Sequence, residues 1–400
     1  MRFLGALAVV LLLVGCTTQD AGEPLDQTWQ RVDLPVGFVA SQLVVVDGQL
    51  VVGGSADDAS TDREVPALVT GADTGEPEFV PLTSTTFYGA VARWYSLVVD
   101  GSQLRALGGR TGGGHGNPRW STWVGDLEHF DETHTPGIET FGGPRGGGMV
   151  GIAVVDGQPV IAGGRVGEQA GLDIAVWLEQ DDTWIEQPSS GTALEASDTV
   201  LPFPSSVVAA GDRLLITGFT QVLGGGEVHS RAAAWIGDPL AADPTTSWRR
   251  IDLPADSPDT DSPEPDSSDA GTSEAETADA TALSALCTAT RCVIAGSSDG
   301  ALVAWSISDD EAATLPVPTI EVGDADVPAP VAWGDHITVV AAQNGACVIA
   351  VATSDDLSAW ELRAGPAGTP IAAAASGDLL YVVVTTADGS VELWSTAAGS

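Results

Sequence analysis

Residues 148–188 read GMVGIAVVDGQPVIAGGRVGEQAGLDIAVWLEQDDTWIEQP, and the order of apolar runs and turns in this stretch decides the architecture. An apolar run over 150–155 meets the turn Asp156-Gly157. A second run over 159–162 ends in Gly163-Gly164, and after a loop two Trp-bearing segments, 172–178 and 183–187, close the unit. Short apolar, β-branched runs separated by Asp-Gly and Gly-Gly pairs mark strands joined by tight turns. The unit therefore predicts four short antiparallel strands.

The same order recurs along the chain. An inner strand, its turn and a second strand are read at 43–55 (LVVVDGQLVVGGS), 96–110, 152–165, 207–219, 285–297, 331–342 and 373–385, seven in all. Outer strands are expected at 79–82, around 128–130, and at 184–188, 248–254, 314–318 and 360–366, while the seventh unit runs out after Val391-Glu392-Leu393-Trp394. The missing outer strand lies at the other end of the chain, because TWQRVDLP at 28–35 nearly repeats SWRRIDLP at 247–254. A repeated four-stranded unit predicts an all-β, seven-bladed β-propeller of antiparallel blades, and pairing the N-terminal strand with the last blade leaves none incomplete. Residues 27–400 then form one domain. The diglycine ending the second strand, together with Trp177 and Trp184, resembles the kelch repeat, with Trp where kelch usually has Tyr. That resemblance implies a fold and no particular chemistry.

Arg2 is followed by an unbroken apolar segment over 3–14 and then Gly15-Cys16, a run well short of the ~20 residues that span a bilayer. Residues 1–15 are expected to be a cleaved signal. Leu13-Val14-Gly15-Cys16 resembles a bacterial lipobox, which implies cleavage before Cys16, lipidation of that residue, a polar tether over 16–26 and an extracytoplasmic, membrane-anchored location. Stable anchoring follows from multiple acyl chains where one would be marginal.

All 15 basic residues are Arg, against 55 acidic ones, for a formal net charge of −40. A chain without Lys has no P-loop lysine, Schiff base or lysine general base. Such acidity also repels nucleic acid, so no nucleic-acid partner is expected. Residues 255–280 carry nine acidic and no basic or aromatic residues, a composition unable to bury enough apolar surface to order itself. This insertion between the fourth and fifth units is read as a solvated acidic loop, the other reading being a calcium-binding or partner-binding acidic segment. An export signal permits a disulfide between Cys287 and Cys292 at a hairpin end, leaving Cys347 as a buried free thiol in the apolar run 346–352.

No motif for chemistry survives inspection. Residues 353–360 (TSDDLSAW) resemble the Asp box of sialidase-like propellers, with Leu357 and Ala359 in place of Gly and Thr. In that family the box is a turn away from the catalytic face. A sialidase-like site would also need a Tyr nucleophile; Tyr95 and Tyr381 fall in predicted strands as packing residues, leaving Tyr88. Gly296-Ser297-Ser298-Asp299-Gly300 spells G-x-S-x-G, but joins two strands where a nucleophile elbow joins strand to helix. The five His show no zinc spacing. No catalytic residue, metal or cofactor is assigned.

In a propeller the loops from second to third strand, and from outer strand to the next inner one, share one face, where binding sites concentrate. Here those loops are long and Gly-rich at 111–120, 141–148 and 223–231. They carry or adjoin Arg110, His115, Arg119, Trp120, Arg145, Arg165, Glu227, His229 and Arg231, the candidate ligand-binding residues, and Arg110, Arg145 and Arg165 are expected to converge. Either these Arg receive an anionic ligand, with Trp120 stacking on a sugar, or they neutralise neighbouring carboxylates. Two functions remain. One is a non-catalytic binding or scaffolding propeller for a protein or anionic glycan partner. The other is a carbohydrate-active enzyme, sialidase-like or another glycosidase, using the Arg-rich face and drawing on Glu168, Asp173 or Glu227.

Overall fold

The computed structural model describes residues 24–61, 63–111, 118–133, 137, 139–169, 171–224, 227–255 and 279–398. The chain forms seven antiparallel sheets arranged as blades in a ring. Blade 1 consists of Phe38–Val46, Gln49–Asp58, Arg63–Thr70 and Glu78–Phe79. Blade 2 runs Arg93–Asp100, Gln103–Thr111, Pro118–Gly125 and Phe130–Glu132; blade 3 runs Gly146–Val155, Gln158–Val166, Leu172–Gln180 and Thr183–Glu186. Blade 4 runs Val200–Ala210, Arg213–Gly224, Glu227–Gly237 and Trp248–Asp252; blade 5 runs Ala280–Cys287, Cys292–Ser298, Ala301–Ser308 and Glu311–Leu315. Blade 6 runs Val331–Trp333, His336–Gln343, Ala346–Thr353 and Asp356–Ala367, and blade 7 contributes Thr369–Ser376, Leu379–Thr385 and Val391–Ala397.

The ring closes as the repeated motif anticipates. Gln30–Val32 is the outer strand of blade 7, in register Gln30 with Ser395, Arg31 with Trp394 and Val32 with Leu393. Arg31 pairs with Glu392 at 3.0 Å, and Thr396 Oγ1 donates to the Thr28 carbonyl at 2.7 Å. The contacts of this end of the chain reach further back than the strand. Leu25 donates to the Leu362 carbonyl at 2.9 Å and accepts from Ala364 N at 2.8 Å, tying the N-terminal segment to blade 6 as well. The signal segment, Cys16 and nearly all of the acidic insertion lie outside the described residues. Asp279 and Ala280 belong to the start of blade 5, where Asp279 Oδ1 accepts from Ser230 N at 2.8 Å.

Side chains alternate across each strand, so every sheet is apolar on both faces and packs against a blade on either side. Among the described residues the core accordingly divides into seven apolar clusters, one per blade interface. Trp123, Trp177, Trp235 and Trp305 occupy the same place on the third strands of blades 2 to 5, each at most 1% exposed, and each packs towards the preceding blade. Burying ~200 Å² of ring at ~25 cal/mol/Å² gives roughly 5 kcal/mol of transfer free energy per Trp. The apolar third strand is thus what welds neighbouring blades.

Inner strands begin earlier than the sequence pattern indicates: at Phe38, Arg93, Gly146, Val200, Ala280 and Thr369 rather than at 43, 96, 152, 207, 285 and 373. In each, a bulge slips the register, at Ser41, Tyr95, Val150, Ser205, Leu283 and Ile371. An extra residue reverses the in-out alternation, so the run before it fails a period-two test. The bulge also accounts for the glycines. A Cβ on Gly54, Gly218 or Gly296 would stand 2.0–2.1 Å from the carbonyl oxygen of Val39, Phe203 or Thr281, and one on Gly163 would stand 2.6 Å from that of Gly148. Only glycine admits the crowded inner strand there.

Blade 2 has a fifth strand that the repeat does not announce: Leu82–Thr83 runs parallel to Phe130–Glu132 at its outer edge. Cys287 and Cys292 face each other in register and are bonded, with an S–S distance of 1.98 Å. Cys347 is a buried free thiol, and burial pushes its pKa up to about 12.

Candidate functional site: the loop face of blades 1 to 3

Four arginines stand at the loop-face ends of adjacent strands: Arg63 opening the third strand of blade 1, Arg93 opening the inner strand of blade 2, Arg110 near the end of its second strand, and Arg119 near the start of its third. Arg110 and Arg119 are direct register partners. Glu64 Oε2 lies 2.7 Å from Arg93 and 3.6 Å from Arg110, while Glu64 Oε1 accepts from the Ser55 hydroxyl at 2.6 Å. The Ser55 hydrogen bond, followed by that from Arg93, holds the Glu64 carboxyl below its ordinary value of 4.5. A depressed folded-state pKa contributes stability that is present above the unfolded value and lost as pH falls through the folded one. The bridge therefore persists through neutral pH and opens only in acid.

Around these cations stand aromatic rings. Tyr95 is the bulged residue of its strand, and the bulge carries its ring to the surface, 42% exposed, where it meets Trp120 edge-on at 4.7 Å. The expectation that Tyr95 is a packing residue is corrected by that bulge, whereas Tyr381 is buried. Phe87, 61% exposed, contacts Tyr88 at 5.5 Å in a T-shaped pair. The Arg63 guanidinium lies 5.4 Å over Phe87, and that of Arg119 5.8 Å over Tyr88. Tyr88 is thus engaged by an arginine as a ring face.

One buried carboxylate fixes the loop that presents Phe87 and Tyr88. Glu132 Oε2 accepts from Thr85 N at 2.6 Å, Thr86 N at 2.8 Å and the Thr85 hydroxyl at 3.2 Å, while Oε1 accepts from the Thr86 hydroxyl at 2.6 Å. The Thr86 hydroxyl in turn accepts from Gly89 N at 2.9 Å. A Cβ on Gly89 would meet the Glu132 carboxylate at 2.2 Å, so this loop closes on the carboxylate only with glycine there. Sequence reading missed Glu132, Glu64, Arg63, Arg93 and Phe87; the pair Thr85-Thr86 before Gly89 is the one local hint of an anchored turn.

On blade 3 the arginines form a second, separate group. Arg165 is buried, its Nε 2.9 Å from Glu186 Oε2, its Nη1 and Nη2 donating to the Thr140 and Glu139 carbonyls at 3.2 Å, and its guanidinium 5.8 Å over Trp177. Arg145 donates to the Val166 carbonyl at 3.1 Å and lies 3.5 Å from Glu186 Oε1. The expected convergence of Arg110, Arg145 and Arg165 does not form. Arg145 and Arg165 share Glu186, whereas Arg110 is drawn to Glu64 across the interface with blade 1. Arg145 opens onto a cleft of about 260 Å³ lined also by Glu168, Asp173, Glu186, Ser189 and Glu195. Asp173 is buried and already accepts from the Ser189 hydroxyl at 2.8 Å and Ala196 N at 2.9 Å.

The remaining candidates are dispersed. His115 lies outside the described residues. Glu227, His229 and Arg231 were expected on a loop but stand on the strand Glu227–Gly237, which pairs with Arg213–Gly224 as a long hairpin of blade 4. Arg231 is exposed there, opposite Thr220. Trp120 is half-buried and packed against Tyr95 rather than presented with an open ring face. Residues 296–298 end the strand Cys292–Ser298 and 299–300 turn into Ala301–Ser308, while residues 354–355 turn between strands on the opposite face. Among the described residues no group of three or more His, Cys, Asp and Glu is arranged to hold a metal ion. A central channel of about 420 Å³ runs between the inner strands, lined mainly by Val, Leu, Ile and Ala with Ser96, Ser206 and Ser284.

No protein-family model matches the chain, and no curated protein matches it. Solved structures do. The β-propeller domain of the Trilobed protease from Pyrococcus furiosus, which has an open velcro topology, superposes with a TM-score of 0.52 at 10% identity, over 91% of this chain and 94% of that one. The β-propeller domain of Cps50 (Swd1) from Myceliophteria thermophila gives 0.52 at 10% identity, over 91% and 100%. A chain of the Mitotic Checkpoint Complex gives 0.50 at 11% identity, over 100% and 99%. At such identities the likeness concerns the fold alone, and in fold the chain is a seven-bladed β-propeller.

Proposed function

We propose that the protein is a non-catalytic, kelch-like scaffold, anchored outside the cytoplasmic membrane by lipid on Cys16, that binds a protein partner through the loop face of blades 1 and 2. The observation that carries this reading is the patch of Phe87, Tyr88, Tyr95 and Trp120 interleaved with four arginines. Tyr, Trp and Arg are the residues that dominate binding energy at protein interfaces, and here the loop that presents Phe87 and Tyr88 is held in place beforehand by Glu132, which lowers the ordering cost of association. Membership of one similar chain in the Mitotic Checkpoint Complex is consistent with a propeller used as a scaffold. The alternative, a carbohydrate-active enzyme, needs two carboxylates free to face one another across a cleft. In the blade 3 cleft Asp173 is bound by Ser189 and Ala196, and Glu186 by two arginines, which favours the scaffold.

A photo-crosslinking residue at position 87 should yield a discrete protein adduct in cells of the source organism, while one at Leu379, exposed at the opposite face, should not. Fractionation of a Cys16→Ala variant tests the anchor: the variant should leave the membrane fraction or remain unprocessed. Equal adducts from both positions would refute the assignment of the face, and a processed variant still fractionating with membranes would refute the lipid anchor.

A further inference from the structure

The chemistry of the patch specifies more than a protein partner. On a chain of net charge −40 with 15 Arg in total, Arg63, Arg93, Arg110 and Arg119 meet within two blades, and the only carboxylate in ion-pair contact with any of them among the described residues is Glu64. Arg63 and Arg119 have no such carboxylate among the described residues, and lie instead over the Phe87 and Tyr88 rings. Like charges collected this way repel one another unless anionic groups sit between them. Glu64, bound by Arg93 and Arg110 together, displays how this surface holds a carboxylate.

We propose that the patch docks an acidic segment of a polypeptide partner, Arg63 and Arg119 receiving its carboxylates and Phe87 and Tyr95 taking an adjacent apolar or aromatic side chain. This rests on the protein-binding reading above and names the partner's chemistry. A polypeptide fits better than an anionic glycan, because sugar rings stack on open aromatic faces. Here the Phe87 and Tyr88 faces lie under guanidinium groups, and Trp120 is packed against Tyr95. Phe87 and Tyr95 remain exposed beside planar N–H donors, a combination that suits side chains together with carboxylates. The net charge of −40 disfavours an acidic segment over most of the remaining surface, so the field favours this sector.

The test uses the full-length protein in detergent and a fluorescein-labelled random copolymer of Glu and Tyr, followed by fluorescence anisotropy. The wild type should bind, and the Arg63→Gln/Arg119→Gln double variant should lose at least about tenfold in affinity, as expected when charge-assisted hydrogen bonds are removed. Phe87→Ala should weaken binding similarly. Arg231→Gln, an exposed arginine of blade 4, should not change it. Affinity should also fall between about 0.1 M and about 0.5 M salt, where the Debye length shrinks below the span of the patch. Unchanged melting temperatures would show that the variants are folded; among the described residues the guanidinium groups of Arg63 and Arg119 lie over ring faces and pair with no carboxylate.

Equal binding by the double variant, or no binding by the wild type, overturns the proposal. So does displacement of the copolymer by dextran sulfate or hyaluronate binding as tightly through the same arginines, which assigns the patch to a polyanionic glycan. A crosslinked protein at position 87 together with failure of the copolymer would leave the scaffold reading standing and remove only the acidic class.

Discussion

Replacing Glu132 should release the recognition loop without unfolding the ring. The carboxylate is 6% exposed and gathers four donors from Thr85 and Thr86 at 2.6–3.2 Å. Hydrogen bonds to a charged acceptor contribute about 1.5–3 kcal/mol each in mutational series. The four are not additive, since both threonines are exposed and their donors return to water once the loop lifts. The expected loss in Glu132→Ala is therefore nearer about 3 kcal/mol than the sum, or about a hundredfold in the closing equilibrium of the loop. Glu132→Gln keeps the shape and one acceptor oxygen, and its amide can donate to the Thr86 hydroxyl, so it should lose much less. Hydrogen exchange measures this directly: the amides of Thr85, Thr86 and Gly89 should exchange about a hundred times faster in the Ala variant, with strands of blades 4 to 7 unaffected. Unchanged protection at these amides, or equal acceleration across all blades, would refute the clamp.

The bulge account of the glycines predicts that Gly218→Ala, whose Cβ would sit 2.0 Å from the Phe203 carbonyl oxygen, destabilises the protein by about 3 kcal/mol or more. Gly148→Ala, with nothing within 4 Å, should be nearly neutral in the same thermal melts. Deleting 28–35 should strip blade 7 of its outer strand and lower the melting temperature, whereas deleting 256–278 should leave it nearly unchanged; calorimetry of the two deletions distinguishes them. Cys347, its thiol pushed up to about 12 by burial, should remain inert to an aromatic disulfide reagent at neutral pH until the protein is denatured, and then titrate as a free thiol.

Blade number and closure were legible in the linear chain because each depends on local chemistry. Turn pairs such as Asp156-Gly157 set the hairpins, period-two apolar runs set the strands, and the repeat of 247–254 at 28–35 exposed the closing strand. The spacing of Cys287 and Cys292 likewise brings them into register across one turn. What the tertiary structure alone decided lies between blades or at the breaks in periodicity. The bulge at Tyr95 reverses the direction of its side chain, so a residue that reads as core is delivered to the surface. The same slip shortened every inner strand read by alternation, apart from that of blade 6, and in blades 1, 3, 4 and 5 one glycine that marks the repeat is its steric consequence. Which carboxylate each arginine finds was equally hidden. Arg110 turns to Glu64 across the interface with blade 1, and Arg165 to Glu186 across its own blade, because ion pairs form between side chains brought within about 4 Å, a proximity set by blade packing and strand order and not by any distance along the sequence.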